Sequence, residues 1–253
     1  MNNGRLLEFL HMRACLILDS NSSDEEIAAA LDCGADALMF RLGPCAENDA
    51  RRDARARVCA LIEAARRKGG APALFVEVAP PDSDLIEADL DALFGPGPDG
   101  VFLRACDGAV SLQRLAVKLA VREAQAGLAD GATRIGAIIG GDPAGVLALP
   151  SFAGASPRLA ALAFDEGGLC AALGLAASGG AAIDTARAMV VLAAGSAGVP
   201  ALAPLVGLGD EAAFAAARRD GFAGAMALDR RQVAAIREIF PAGENRQNSN
   251  SPA

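Results

Sequence analysis

The chain has no tryptophan, no tyrosine and a single histidine, His11, among its 253 residues. A hydrolytic triad needs an imidazole beside its nucleophile, and no nucleophile-elbow pattern is present, so His11, ahead of the first apolar run, reads as incidental. Paired metal-binding cysteines are missing too. Six cysteines (Cys15, Cys33, Cys45, Cys59, Cys106, Cys170) stand at long, irregular intervals without a C-x-x-C, and the expectation is reduced, small apolar side chains. Arg5, Glu8, His11 and Arg13 interrupt the first fifteen residues, which lack the basic, apolar, small-residue order of a secretory signal, so a cytoplasmic location is expected. No run approaches the roughly 18 uninterrupted apolar residues of a membrane-spanning helix. Basic charge is also short: 23 Lys and Arg against 31 Asp and Glu give a net charge of -8, which disfavours a polyanion. Asp53 breaks the densest basic run, Arg51 to Arg57, and the run reads as a solvated helix face, so no nucleic-acid partner is expected.

What is abundant is small and apolar. Hydrophobic residues make up 53% of the chain, enough for a large buried core. Short apolar runs recur: Ala14 to Leu18, Ala37 to Leu42, Ala73 to Val78, Gly100 to Leu103, Arg134 to Ile139, Leu159 to Phe164, Ala201 to Val206 and Gly224 to Leu228. Each precedes a helical stretch. Ser22 or Ser23 caps the first, with Glu25 or Glu26 placed for a capping box, and Gly34 stops it. The others cover Asp49 to Lys68, Ser83 to Phe94, Leu112 to Leu128, a short helix from Asp142-Pro143, Ala181 to Ala197, Asp210 to Arg219 and Arg230 to Ile239. Asp165-Glu166-Gly167-Gly168 reads as an acidic, glycine-rich turn before a helix start. All-apolar strands alternating with helices predict a single-domain α/β fold, a (β/α)8 TIM barrel over residues 1–240. The polar segment from Pro241 predicts a disordered tail over 241–253.

Reactive groups in such barrels come from the carboxyl ends of the strands. Those ends read Asp19, then Arg41-Leu42-Gly43-Pro44, Glu77-Val78-Ala79-Pro80, Arg104-Ala105-Cys106-Asp107, Gly140-Gly141-Asp142, Asp165 to Gly168, Pro204 to Gly207, and Asp229-Arg230. With RACLILDS, GADALMFRL, PDGVFLRACD, RLAALAFDEGGLCAALG, ARAMVVLAAGSAGVPAL and GFAGAMALDRRQVAAIREIF in order from Arg13 to Phe240, the chain resembles the citrate lyase beta-subunit and HpcH/HpaI aldolase family. The resemblance implies a trimer or hexamer and carbon–carbon bond chemistry on a CoA thioester or 2-oxo acid, with Mg2+ stabilising an enolate.

The resemblance also exposes departures. Arg13 matches the family arginine that opens strand one. Arg41 to Pro44 stand where the family has an acidic run, Glu77 where it has a substrate-gripping arginine, and Arg104-Ala105 where it has Pro-Lys. Gly140 and Gly168 align with its metal-binding glutamate and aspartate, and Asp229-Arg230 with its His-Pro. Glycine offers Mg2+ no ligand. Two expectations follow. Either the barrel is a non-catalytic ligand-binding or partner subunit, or it is a Mg2+-dependent lyase whose ligands have moved to Asp142 and Asp165 or Glu166. The barrel-mouth candidates are Arg13, Arg41, Glu77 and Arg104. Arg41 and Glu77 look like a charge-swapped pair, and Arg104 could hold a carboxylate or phosphate with its planar fork. The ligand expected is a small carboxylate or a CoA thioester.

Overall fold

A computed structural model describes residues 12–43, 49–95, 97–176, 179–205, 207 and 211–241. His11, Pro44, Cys45, Val206, Asp210 and the tail 242–253 lie outside the described residues. Chain order runs β1 (Ala14–Asp19), α1 (Asp24–Leu31), β2 (Ala37–Arg41), α2 (Asp49–Lys68), β3 (Ala73–Val78), α3 (Ile86–Leu93), β4 (Gly100–Leu103) and α4 (Ala109–Gln125). It continues with β5 (Arg134–Ile139), α5 (Pro143–Leu147), a 3-10 turn (Leu149–Phe152), β6 (Leu159–Phe164), α6 (Glu166–Ala172), α7 (Ala181–Ala197), β7 (Ala201–Ala203), α8 (Glu211–Arg219), β8 (Gly224–Ala227) and α9 (Arg230–Ile239). Every strand is parallel to its neighbours, and β8 returns to pair with β1. The expected (β/α)8 barrel is therefore closed.

Strand alternation sorts the apolar residues into two layers. One face of each strand meets the helices: Leu16, Leu38, Phe40, Leu74, Val76, Val101 and Leu103 pack there with Ile62, Leu90, Leu115 and Ile183. The other face fills the lumen with Cys15, Ile17, Met39, Phe75, Phe102, Ile138, Ala163, Leu202 and Met226. Phe75 and Phe102 meet at 5.1 Å between centroids. Glycines make that possible, since a Cβ on Gly100 would stand 2.3 Å from Phe75 and one on Gly136 would stand 2.2 Å from Phe102. Below them β5 and β6 slip register at Ile135/Gly136, so Ala160 and Ala161 both face the lumen.

Local chemistry sets the element ends. Ser23 and Glu26 form the capping box of α1, Gly198 ends α7 in the left-handed region (φ 70°), and Asp229 with Gln232 boxes α9. Two expectations change. Asp165 to Gly168 do not form a free turn: Asp165 is the N-cap of α6, its carboxylate accepting from the Gly168 amide at 2.9 Å. Two glycines disfavour a helix by about 1 kcal/mol each, but this cap and the burial of Leu169 and Cys170 offset that cost. The Arg51 to Arg57 run is a solvated face only in part, with Arg52, Asp53 and Ala56 exposed. Arg51 and Arg55 are buried and both donate to Asp89 of α3 (2.6 and 2.8 Å), whose other bond holds the Ala79 amide. Cys15, Cys33, Cys59, Cys106 and Cys170 are free thiols. Among the described residues no helix is long and apolar enough to cross a membrane.

Candidate functional site

The lumen residues dictate what reaches the mouth. Ile17, Met39, Phe75 and Phe102 face inward, so the next residues on that face, two steps on, are Asp19, Arg41, Glu77 and Arg104. Strand pairing places Asp19, Arg41 and Glu77 side by side, and Phe102 beside Glu77 brings Arg104 to the same rim. The charges alternate around four adjacent strand ends.

They form two ion pairs. Arg41 grips Asp19 with both arms, Nε to Oδ1 at 2.9 Å and Nη2 to Oδ2 at 3.1 Å. Arg104 donates from Nη2 to Oε1 of Glu77. The expected Arg41–Glu77 pair is thus corrected, although the two residues are register partners. An alternating row of four charges is satisfied throughout only if the end members are paired; joining the middle two would strand Asp19 and Arg104. The pairs differ in burial. Asp19 and Arg41 side chains are 53% and 30% exposed, where an ion pair contributes about 0–1 kcal/mol. Glu77 is 8% and Arg104 39% exposed.

Arg13, the fourth mouth candidate, is corrected more completely. It precedes β1, and its Nη2 donates to Asp36, just before β2, at 3.0 Å. Both lie at the amino ends of parallel strands, the face opposite the mouth. Asp36 also accepts the Arg13 and Ala14 amides, so the arginine braces the entry of two strands.

The relocated metal set does not assemble. Asp142 caps α5, accepting from the Ala144 amide at 2.8 Å, and Asp165 caps α6. Glu166 is buried and paired with Arg187 of α7. Each carboxylate thus has a local partner, and among the described residues no three acids, histidines or cysteines converge on a common point. Of the positions that align with the family ligands, Gly140 is closed by backbone and Gly168 lies against the capping carboxylate of Asp165. A Cβ on Gly140, at φ 127°, would lie 2.3 Å from the Asp165 carbonyl oxygen. One on Gly168 would lie 2.4 Å from Asp165 Oδ2. Among the described residues, those present do not fit the Mg2+ of the resembling family.

Cys106 does not replace it as a nucleophile. Burial pushes the Cys106 thiol, at the end of β4, up to about 12, so it is not a thiolate at neutral pH. Beside it Ala105 is held at φ 47°, a left-handed conformation that costs roughly 1 kcal/mol, and its Cβ lies 2.9 Å from where Gly141 would carry one. This packing joins the β4 and β5 ends. The partner residues that sequence reading missed are Asp19, Asp36 and Arg187. Asp19 was visible as a strand-end acid, but only the strand register shows which arginine it faces.

The sequence model of one family, HpcH/HpaI aldolase/citrate lyase, matches residues 16–230. No curated protein matches the sequence. Among solved structures, the citrate lyase beta subunit complexed with oxaloacetate and magnesium from M. tuberculosis is similar with a TM-score of 0.71 and 19% identity, over 92% of this chain and 99% of that one. RipC from Yersinia pestis gives 0.70 and 24%, over 93% and 97%. The malate synthase magnesium/glyoxylate complex of Haloferax volcanii gives 0.76 and 14%, over 95% and 78%. At these identities the likeness is one of fold.

Proposed function

Because the chain belongs to the HpcH/HpaI aldolase/citrate lyase family, we propose that it is a non-catalytic member, a ligand-binding or partner subunit that takes a small carboxylate or CoA thioester at the barrel mouth without metal. The observation that carries this reading is the commitment of Asp142, Asp165 and Glu166 to two helix caps and an ion pair. A hard divalent cation needs several oxygens aimed at one point, and here one oxygen of each carboxylate is already taken by an amide or a guanidinium. The described mouth also carries two arginine forks, each seated on an internal carboxylate, and a planar fork that suits Asp19 or Glu77 suits a ligand carboxylate that takes its place. Similar barrels are described with oxaloacetate, acetoacetate and coenzyme A, which makes these the first compounds to try. A cytoplasmic homo-oligomer, trimer or hexamer, completes the proposal; sedimentation at micromolar concentration would test the assembly.

Calorimetry with oxaloacetate, acetoacetate or coenzyme A, each with and without Mg2+, tests the function. The expected result is heat from a carboxylate that is indifferent to Mg2+ and to EDTA. Cleavage of a 3-hydroxyacyl-CoA or 4-hydroxy-2-oxo acid, abolished by EDTA, would instead establish the metal-dependent lyase and overturn the proposal.

A further inference from the structure

We propose that Glu77 is a built-in occupant of the carboxylate site on Arg104, so that it sets the affinity for any ligand carboxylate and the ligand must displace it; this deepens, and rests on, the reading of the mouth as a carboxylate site. Three observations meet here. Glu77 and Arg104 share the inner rim, one on β3 and one just past β4, with the glutamate carboxylate seated on the guanidinium. The partners are unequally placed: Glu77 is 8% exposed, whereas Arg104 is 39% exposed and therefore reachable from solvent. Glu77 also follows the lumen residue Phe75 by two positions and is the register partner of Phe102.

A guanidinium fork presents planar N–H donors, and a ligand carboxylate matches them as well as Glu77 does. The internal anion is tethered, so it competes without a concentration term, and an external one must outweigh it. Ligands that gain only the fork are held weakly. Those that add contacts across the rest of the mouth displace Glu77. The site therefore selects carboxylates carried on a larger body over bare small anions.

The test is acetoacetate binding in EDTA, followed by calorimetry or ligand-observed NMR, for the wild type, Glu77→Gln, Arg104→Gln and Asp107→Asn. Asp107 is an exposed acid three residues past Arg104, bonded to Ser111, and reports the effect of removing one negative charge nearby. Glu77→Gln should tighten acetoacetate by about tenfold or more, as expected when a tethered competitor is removed, Asp107→Asn by no more than about twofold, as for a screened surface charge. Arg104→Gln should abolish binding. Circular dichroism and thermal melting confirm that each variant is folded, and Arg104→Lys serves if the glutamine variant is not. Equal affinities for wild type and Glu77→Gln, or equal gains for Glu77→Gln and Asp107→Asn, overturn the competitor role while leaving the carboxylate site standing. Binding that survives loss of Arg104 overturns the assignment of the fork. Absence of binding in the wild type and Glu77→Gln alike sinks the carboxylate reading itself.

Discussion

Glu77 is 8% exposed and Arg104 39%, so removing one partner of their ion pair is not equivalent to removing the other. Arg104→Gln leaves a desolvated carboxylate uncompensated, which costs about 3 kcal/mol by analogy with broken buried pairs. Glu77→Gln leaves a guanidinium that water can reach, at about 1 kcal/mol or less. Thermal melting should therefore drop by about 6–12 °C for Arg104→Gln and by no more than about 4 °C for Glu77→Gln; the reverse order would mean that Arg104 is the buried member. A second residue-scale prediction concerns Glu123. Burial alone would raise its carboxyl, but hydrogen bonds from Arg158 and the Thr133 and Gly131 amides outweigh that and hold it below its ordinary value of 4.5. A depressed carboxyl contributes stability that is complete above the ordinary value and is lost as pH falls through the folded one. Melting temperature should thus fall below pH 4.5, and Glu123→Gln, although less stable at neutral pH, should show a flatter acid limb. An unchanged limb would place the acid sensitivity in other groups. These residue effects were hidden in the sequence, because burial separates Glu77 from Asp19 and Arg51 from Arg52, and burial is not a property of composition.

At the scale of the element, the short helices after β5 and β6 decide what the strand-end acids do. Asp142 is an N-cap and proline stands at the next position. Its replacement by alanine should cost about 1 kcal/mol and leave the heat of mixing with Mg2+ unchanged; a lost Mg2+ signal would make it a ligand. Asp165 makes the same kind of cap one strand on, and its backbone lies against Gly140. Gly140→Glu, which would restore the acid of the resembling family, has to force a Cβ into a 2.3 Å approach to a carbonyl oxygen at a φ of 127°. The substitution should destabilise by more than about 2 kcal/mol without creating a Mg2+ site. Recovery of Mg2+ binding in that single variant would show that the β5–β6 contact yields readily. The sequence made the Asp142 cap legible through Asp-Pro. It marked a helix start after Gly167-Gly168, but α6 begins already at Glu166, because the Asp165 cap and the burial of Leu169 and Cys170 draw the two glycines into the helix.

For the whole molecule, the two ends of the barrel divide the labour of the charged residues. The amino end is braced: Arg13 holds Asp36, Asp99 holds the Leu74 amide, and Arg158 bonds Glu123 and Asp130. The carboxyl end carries the alternating rim from Asp19 to Arg104. The sequence by itself determined the barrel, because eight apolar runs at helix-separated intervals can bury both faces of their strands only in a parallel sheet that closes. It also determined most element ends, which rest on caps and glycines acting over three or four residues. Only the tertiary structure decided which charges meet, that Arg13 belongs to the floor and not to the mouth, and that the acids near Gly140 and Gly168 are already occupied. The reason is range. Periodicity and capping act along the chain, whereas an ion pair at the mouth depends on the register of strands some 20 to 30 residues apart, and that register is set only when the barrel closes.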